Sequence, residues 1–520
     1  MRITNKVMQN NSLRNINNNK VLQDTLNTQL STGKKVDRPS DDPVVAIRSL
    51  RLRSDVSQID QYYKKNIKDA ESWLELTESS AKQTVNAITK MINECETGAS
   101  DQYTVEDKLV MVDSLKELKN EVYRTGDADY AGRYIFTGYR TNTSLSFAND
   151  AKDRLYSITE AFSVDDMEEM RYIDTGDVTD ITRANYASMT AVDETTVNPV
   201  SYYRFRLAYD DLDKTQTGSL TLDSLKADPP VSIGMTVLPA GMTAEDAYKT
   251  AAADGATGVC YLVPDTGEVV MSADVFNKIN DTKKPDGTHD TFTVSYDKTS
   301  WQTTDLRPEH YFYCTSTDGV DENGNPKVIE YNKEYRDTGV WDQPIEYQIG
   351  FNQSIQVNSY AADIYSTSIG RDVDELTDLA EKLTDIISQT NMLQDMSEDT
   401  VLYNETEREL IGKQLDAAKK AKTYLTDELQ KTFSRYITRM QGYLDVTNEA
   451  VTQMGNRGAQ IELVANRLSD QQTTFKELQS DNEDADATEV AVQLSSAQVS
   501  YEAALMATSK MIQTTLLNYL

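Results

Sequence analysis

The chain has 520 residues, with 84 Asp and Glu against 52 Lys and Arg, for a formal net charge of −32. That charge argues against a nucleic-acid binder, which needs clustered Lys and Arg. No run approaches the ~20 apolar residues of a membrane-spanning helix, so no membrane insertion is expected. Hydrophobic content of 38% with a mean hydropathy of −0.58 describes a polar chain, long enough for roughly three or four domains.

In chain order, residues 1–32 come first. Ile3, Val7, Leu13, Ile16, Leu22, Leu26 and Leu30 can form one apolar helical face, but Asn10, Asn11, Asn15, Asn17, Asn18 and Asn19 weaken it, because Asn favours caps and turns. This start has no apolar core and no small-residue cleavage site of a cleaved leader, so any export is expected to follow another route. Gly33 reads as the helix stop, and Asp42-Pro43 as N-cap and first-turn proline of the next helix. Val44 to Thr97 holds neither Pro nor Gly. Leu52, Val56, Ile59, Tyr63, Ile67, Ala70, Leu74, Thr77, Ala81, Val85, Ile88, Ile92 and Cys95 follow steps of three and four, which predicts a long helix. A further helix follows through Val105, Leu109, Val112, Leu115, Leu118 and Val122.

Nine of the eleven prolines lie between Pro199 and Pro344. There, Tyr203-Arg-Phe-Arg-Leu-Ala-Tyr, Thr291-Phe-Thr-Val-Ser-Tyr and Val328-Ile-Glu-Tyr read as strands, with turns at Pro285-Asp-Gly and Glu322-Asn-Gly-Asn. Helices return with Val373, Leu376, Leu379, Leu383 and Ile386, then from about Leu402 to Thr452. The last stripe is Val490, Leu494, Ala497, Tyr501, Leu505, Thr508, Ile512 and Leu516. The fold class expected is mainly α with an inserted β domain, the N- and C-terminal helices pairing because each lacks another cover for its stripe. Charge favours that pairing: residues 1–60 hold ten Lys/Arg and six Asp/Glu, and residues 461–520 hold three and nine. Both ends are expected to fold fully only when neighbouring copies cover them.

Catalytic patterns are missing from the sequence. The two histidines, His289 and His310, stand without a nucleophile motif, and no P-loop or G-x-G-x-x-G is present. Cys95, Cys260 and Cys314 are too far apart for a metal pair. A calcium loop counted from Asp321 has Pro326 where Gly is needed, so a hairpin turn is expected instead. The acidic run Asp481–Asp486 reads as a solvated helix N-terminus rather than a metal site. Tyr311, Phe312, Tyr313, Tyr331, Trp301 and Trp341 read as core or cross-strand aromatics, with a glycan-binding surface as the lesser alternative. No cofactor is expected.

Several motifs carry a resemblance. Met1-Arg-Ile-Thr-Asn, Leu13-Arg-Asn-Ile-Asn and Gln29-Leu-Ser-Thr-Gly-Lys-Lys-Val-Asp-Arg-Pro-Ser-Asp-Asp-Pro-Val resemble the N-terminus of the bacterial flagellin superfamily. Gly132-Arg-Tyr-Ile-Phe-Thr-Gly-Tyr-Arg-Thr, Tyr347-Gln-Ile-Gly-Phe-Asn with Ile355-Gln-Val-Asn, and the end from Asn482-Glu-Asp-Ala-Asp to Leu516-Leu-Asn-Tyr-Leu resemble its hook-filament junction branch. The resemblance implies a layout of five parts: inner-tube helix and loop (1–42), helical rod (43–140), β outer domain (141–346), returning rod (347–470) and C-terminal inner-tube helix (471–520). It further implies a structural adaptor, not an enzyme, that self-assembles as a ring of copies. Hook-associated protein 1 would lie on the hook side and flagellin on the filament side. Export would be through the type III apparatus, with a flagellar export chaperone on the C-terminal helix. A filament subunit is the alternative, and an adhesin role of the outer domain a lesser one.

Overall fold

The computed structural model of the chain describes residues 5–152, 154–175, 177–215, 220–221, 233–253, 255–281, 291–320, 326–333 and 343–517. Ile3, His289, Trp341, the turn at Pro285 and the turn at residues 321–325 lie outside the described residues, as do the side chains of Ile512 and Leu516. The chain divides into a terminal unit (Met1–Ser72, Tyr347–Ile355, Gly458–Leu520) and a central unit (Trp73–Glu346, Gln356–Arg457).

In the terminal unit, α1 (Asn5–Thr32) stops where Gly33 turns left-handed at φ +68, its N–H still bonded to Gln29 O at 2.8 Å. A left-handed residue at that place is the usual glycine terminator. α2 (Pro43–Gln61) starts as the sequence requires: Asp42 accepts hydrogen bonds from the Val44 and Val45 N–H groups, and Pro43 occupies the first turn. The long helix expected beyond it is not uniform. A π turn spans Tyr62–Asn66 before α3 (Ile67–Gly98). One added residue rotates the following face by about 100°, a shift that apolar spacing cannot reveal. Asn66, inside this turn, donates Nδ2 to Gln348 O at 2.7 Å.

Within the central unit, Thr104 and Asp107 form a capping box at the start of α4 (Val105–Thr125), packed against α7 (Thr367–Glu398). Trp73, Leu74, Ala81, Ile88, Cys95, Leu115 and Leu376 are buried along these helices. A side chain at Gly98 would place its Cβ 2.7 Å from the Phe433 ring, so this position tolerates no larger residue without movement. Phe433 lies on α8 (Glu405–Glu483). The sequence reading ended this helix near Thr452; it continues to Glu483. Gly455 and Gly458 do not stop it, because an isolated glycine costs a helix only about 1 kcal/mol, less than its buried face returns.

The insertion is mainly β. One antiparallel sheet has the order β10-β3-β11-β12, with β3 Leu155–Phe162, β10 Phe292–Lys298, β11 Tyr313–Val320 and β12 Pro326–Tyr331. The other has the order β4-β5-β9-β8-β7-β6, where β4 is Glu168–Asp174, β5 Asn198–Arg206, β6 Leu220–Thr221, β7 Gly234–Val237, β8 Cys260–Val263 and β9 Glu268–Met271. Alternate residues of β3 and β10 point inward, as period-two strands require, and Tyr156, Ile158, Phe292, Val294 and Tyr296 join Phe205 and Val269 in one core. The opposite face of the six-stranded sheet is closed by α5 (Ala244–Ala252) through Tyr202, Val270, Ala247 and Tyr248.

Glu160 is buried in the first core. Tyr296 Oη donates to its Oε1, and so does Ala208 N–H at 3.0 Å. Burial outweighs these hydrogen bonds and pushes the carboxyl up to about 7. Because the folded value lies above the unfolded 4.5, the group weakens folding as pH rises from about 4.5 through 7. Glu160→Gln is therefore expected to stabilise the central unit by about 1–2 kcal/mol at pH 8 and by nearly nothing at pH 4.5. Urea unfolding at both values checks this; an equal effect at both would refute the titration.

Candidate functional site

The first-sequence and last-sequence helices meet in the terminal unit. Leu26 of α1, only 3% exposed, packs with Val490 and Ala497 of α9 (Ala487–Leu517), flanked by Ala485 and Leu494. Gln23 Nε2 reaches Ala497 O at 3.0 Å. This apolar seam is narrow because α9 offers small residues where the two helices touch. Ile16, Leu494 and Tyr501 are half-buried. Val7, Leu13, Leu22, Leu30 and Leu505 remain exposed. A single copy thus covers Leu26 and leaves Val7, Leu13, Leu22, Leu30 and Leu505 of the expected stripe open.

The acidic run is corrected too. Only Asp486 acts as a solvated cap, accepting from Thr488 and Glu489 N–H groups. Glu483, 5% exposed in its side chain, is a hub. Arg53 grips it in a fork, Nε to Oε1 and Nη2 to Oε2, each at 2.7 Å. Ser49 Oγ also donates to Oε1, and Lys34 Nζ to Oε2 at 3.3 Å. Lys34 further holds Asp484 at 2.5 Å. Main-chain bonds close the contact: Lys35 N–H to Glu483 O at 2.7 Å and Ala485 N–H to Gly33 O at 2.9 Å. The opposite charges at the two ends thus meet as a specific lock between the 33–42 loop and the turn after α8.

Hydrogen bonds from Arg53, opposed by partial burial and helped by Ser49 and Lys34, hold the Glu483 carboxyl down at about 2. A depressed carboxylate stabilises above its unfolded value and loses that contribution as pH falls through the folded one, here from about 4.5 to 2. Lys34 and Arg53 are well exposed, so screening limits the lock to about 1–2 kcal/mol. Glu483→Gln is expected to weaken hydrogen-exchange protection of the Lys35 and Ala485 amides by roughly 5–30-fold at pH 7, and to have little effect at pH 2. Unchanged protection at pH 7 would mean the main-chain bonds suffice.

A second cluster lies in the central unit, where the six-stranded sheet faces α7 and α8. Arg204 donates Nε to Glu168 at 3.0 Å, Nη2 to Glu375 at 2.5 Å and Nη1 to Glu268. Arg206 bonds Glu375 at 3.1 Å and also Asp372. Arg439 donates to Asp372 at 2.8 Å and to Glu168, and Tyr443 Oη reaches Asp372 at 2.9 Å. Arg435 lies 3.6 Å from Glu375. Burial pushes the Glu375 carboxyl up, but Arg204 and Arg206 outweigh it and hold it far below the ordinary range. The cluster borders a cavity of about 490 Å³ that Tyr172, Tyr248 and Asp378 also line. Sequence reasoning treated Arg204 and Arg206 as ordinary strand residues. Two arginines at i and i+2 on a strand share one face, which was the available signal.

The sequence's other candidates have structural places. Trp301 stacks on Phe147 with centroids 5.0 Å apart, Tyr311 is buried and Phe312 packs against the core, so Trp301 and Tyr311 are core residues. His310 is buried, its Nε2 2.9 Å from Ser144 O. Cys95, Cys260 and Cys314 are buried free thiols. Among the described residues no cluster of His, Cys, Asp and Glu is arranged to hold a metal, and no helix is long and apolar enough to cross a membrane. The Gly132 motif makes a tight hairpin, β1 Asp129–Tyr130 and β2 Arg133–Tyr134, and buries Ile135 and Phe136.

Paired terminal helices in one unit, and helices with an inserted β domain in the other, define a mainly α fold class with a β insertion. Residues 3–141 match the family model for the bacterial flagellin N-terminal helical region, so the resemblance read from the N-terminal motifs is shown for that region. The chain is similar to flagellar hook-associated protein 3 of Escherichia coli K12 and of Salmonella typhimurium LT2, 28% identical to each over 145 residues. That match spans 28% of this chain and 45% of each relative, so the chain covers less than half the length of these curated relatives. The crystal structure of flagellar hook-associated protein 3 from Legionella pneumophila aligns with 82% of this chain and 96% of that one, at 10% identity and a TM-score of 0.27.

Proposed function

We propose that this chain is a structural adaptor of the bacterial flagellum, joining the hook, through hook-associated protein 1, to the flagellin filament as a short ring of its own copies. The observation that carries the reading is the half-covered apolar stripe on α1 and α9: Leu26 is sealed while Val7, Leu13, Leu22, Leu30 and Leu505 face water, on helices of which α1 falls in the flagellin-type region. Apolar rows left open on a single copy are what assembly covers. Residues 1–42 and 471–520 form the inner tube, residues 43–140 and 347–470 the surrounding helical layer, and residues 141–346 the outer domain. Its role is mechanical, not catalytic. The exposed C-terminal helix is where an export chaperone would shield the stripe before passage through the type III apparatus.

Immunogold labelling of isolated flagella tests the proposal. A single band at the distal edge of the hook is the expected result. Label along the whole filament would make the chain a filament subunit, and no label at all would overturn the flagellar reading.

A further inference from the structure

The central unit carries an arm that the reading so far leaves unused. Gln430 of α8 donates Nε2 to Ala99 O at 2.9 Å, which places the α3–α4 turn beside the second third of the α8 stretch in this unit. The 25 residues of α8 before Gln430 therefore run on past that turn for about 37 Å, paired with the end of α7. The segment 178–197 splints this hairpin. Gln389 Nε2 bonds Ile181 O at 2.6 Å, Gln414 Nε2 bonds Tyr186 O and Met189 O at 2.9 Å, and Lys420 Nζ bonds Glu194 O at 2.6 Å.

The tip of the arm is fixed as firmly. Asp399 accepts from the Val401 and Leu402 N–H groups at 2.8 and 2.9 Å. Asn404 and Glu407 form a reciprocal cap at 2.8 and 2.9 Å, and Tyr403 meets Tyr186 edge-on. On this rigid support Val401 is 91% exposed and Leu402 69% exposed. Residues 395–409 around them hold Asp395, Glu398, Asp399, Glu405, Glu407 and Glu409 against Arg408, with Arg183 of the splint 3.9 Å from Asp395, so the tip remains acidic.

The terminal unit bears a surface of the opposite kind. On α2, Val44, Ile47 and Leu50 are exposed at spacings that put them on one helix face. Arg48 and Arg51, exposed beside them, make no ion pair among the described residues. Lys34 and Arg53, by contrast, are already engaged by Glu483.

We infer that the acidic, apolar tip at Val401–Leu402 of one copy docks on the basic, apolar face Val44–Ile47–Leu50 of α2 in a second copy of this chain. Charge complementarity selects the occupant: an acidic knob and a basic stripe repel their own kind and attract each other. The contact joins two different patches, so it is head-to-tail and propagates, closing into a ring or extending as a helix according to its rotation. The inference rests on the proposed self-assembly and names one of the surfaces that performs it.

The test uses two full-length single-site variants, Leu402→Cys and Ile47→Cys, on a background whose native thiols are all buried. Mixed under assembling conditions, monitored by sedimentation, and oxidised, they are expected to form a disulfide-linked dimer that neither variant forms alone. Its yield should fall several-fold when salt is raised from 50 to 500 mM as a roughly tenfold change, and on Arg48→Glu with Arg51→Glu, and return when Glu398→Lys with Glu405→Lys is added to the partner. Assembly without the mixed dimer overturns this contact while leaving self-assembly standing. A dimer from Leu402→Cys alone overturns the head-to-tail pairing. No assembly at any concentration overturns both.

Discussion

Glu375→Ala is expected to destabilise the central unit by about 3–5 kcal/mol, because it strips one carboxylate from two guanidinium groups that are buried together. Arg204 and Arg206 both donate to Glu375 Oε2, and Arg204 is nearly inaccessible. Its remaining acceptors, Glu168 and Glu268, cannot cover the vacated donors without leaving Arg439 and Tyr248 short. The loss of the attraction is the smaller part of the cost. The larger part is a positive charge kept in a low-dielectric site with an unpaired N–H. Trp73, Trp301 and Trp341 all belong to the central unit, so tryptophan fluorescence in urea follows this unit. Lys278→Ala, which breaks the exposed Lys278–Asp274 pair at 2.7 Å, provides the contrast and is expected to cost under about 0.5 kcal/mol. Equal midpoint shifts for the two variants would show that the buried cluster is solvated like the surface pair.

The contrast between the two units explains what the sequence could disclose. Helix starts and stops at Asp42, Pro43 and Gly33 are local events, decided by one side chain and the nearest backbone groups, and each is where the sequence puts it. Strand segments at Tyr203, Thr291 and Val328 were likewise legible from β-branched and aromatic runs. The mean charge of each end foretold that the ends attract, yet not that Glu483 would be the residue enclosed. That depended on Ser49 and Arg53 being one turn apart on α2 and so facing the same carboxylate. The Arg204–Glu375 cluster was illegible for a similar reason: its members lie 171 residues apart, and only the docking of β5 on α7 makes them partners. The π turn at Tyr62–Asn66 left no compositional trace, since it changes the hydrogen-bond ladder and not the residue types. Long continuity of α8 was hidden by Gly455 and Gly458, which read as breakers in isolation and are overridden by packing.

The terminal helices allow folding and assembly to be separated by two aspartates. Leu26→Asp puts a charge into the sealed centre of the α1–α9 seam, losing about 1.5–3 kcal/mol of burial and adding the cost of an unpaired carboxylate among Val490, Ala497 and Leu494. α1 is rich in Asn and has little intrinsic helicity to fall back on. Its 28 residues are expected to lose helix in the isolated monomer, with part of the 31-residue α9, read as a drop in far-UV ellipticity at unchanged tryptophan fluorescence. Leu505→Asp changes a residue that is 43% exposed in the single copy. The monomer should keep its ellipticity, because little buried area is lost and the charge remains in water. In the proposed ring of copies, however, the same charge would be desolvated once per subunit and the penalty would repeat around the ring. Leu505→Asp is therefore expected to abolish filament attachment, with flagellin appearing in the medium, while leaving residues 60–470 folded. A Leu505→Asp strain that swims normally would show that the open stripe is not an assembly surface, whatever Leu26→Asp does to the monomer.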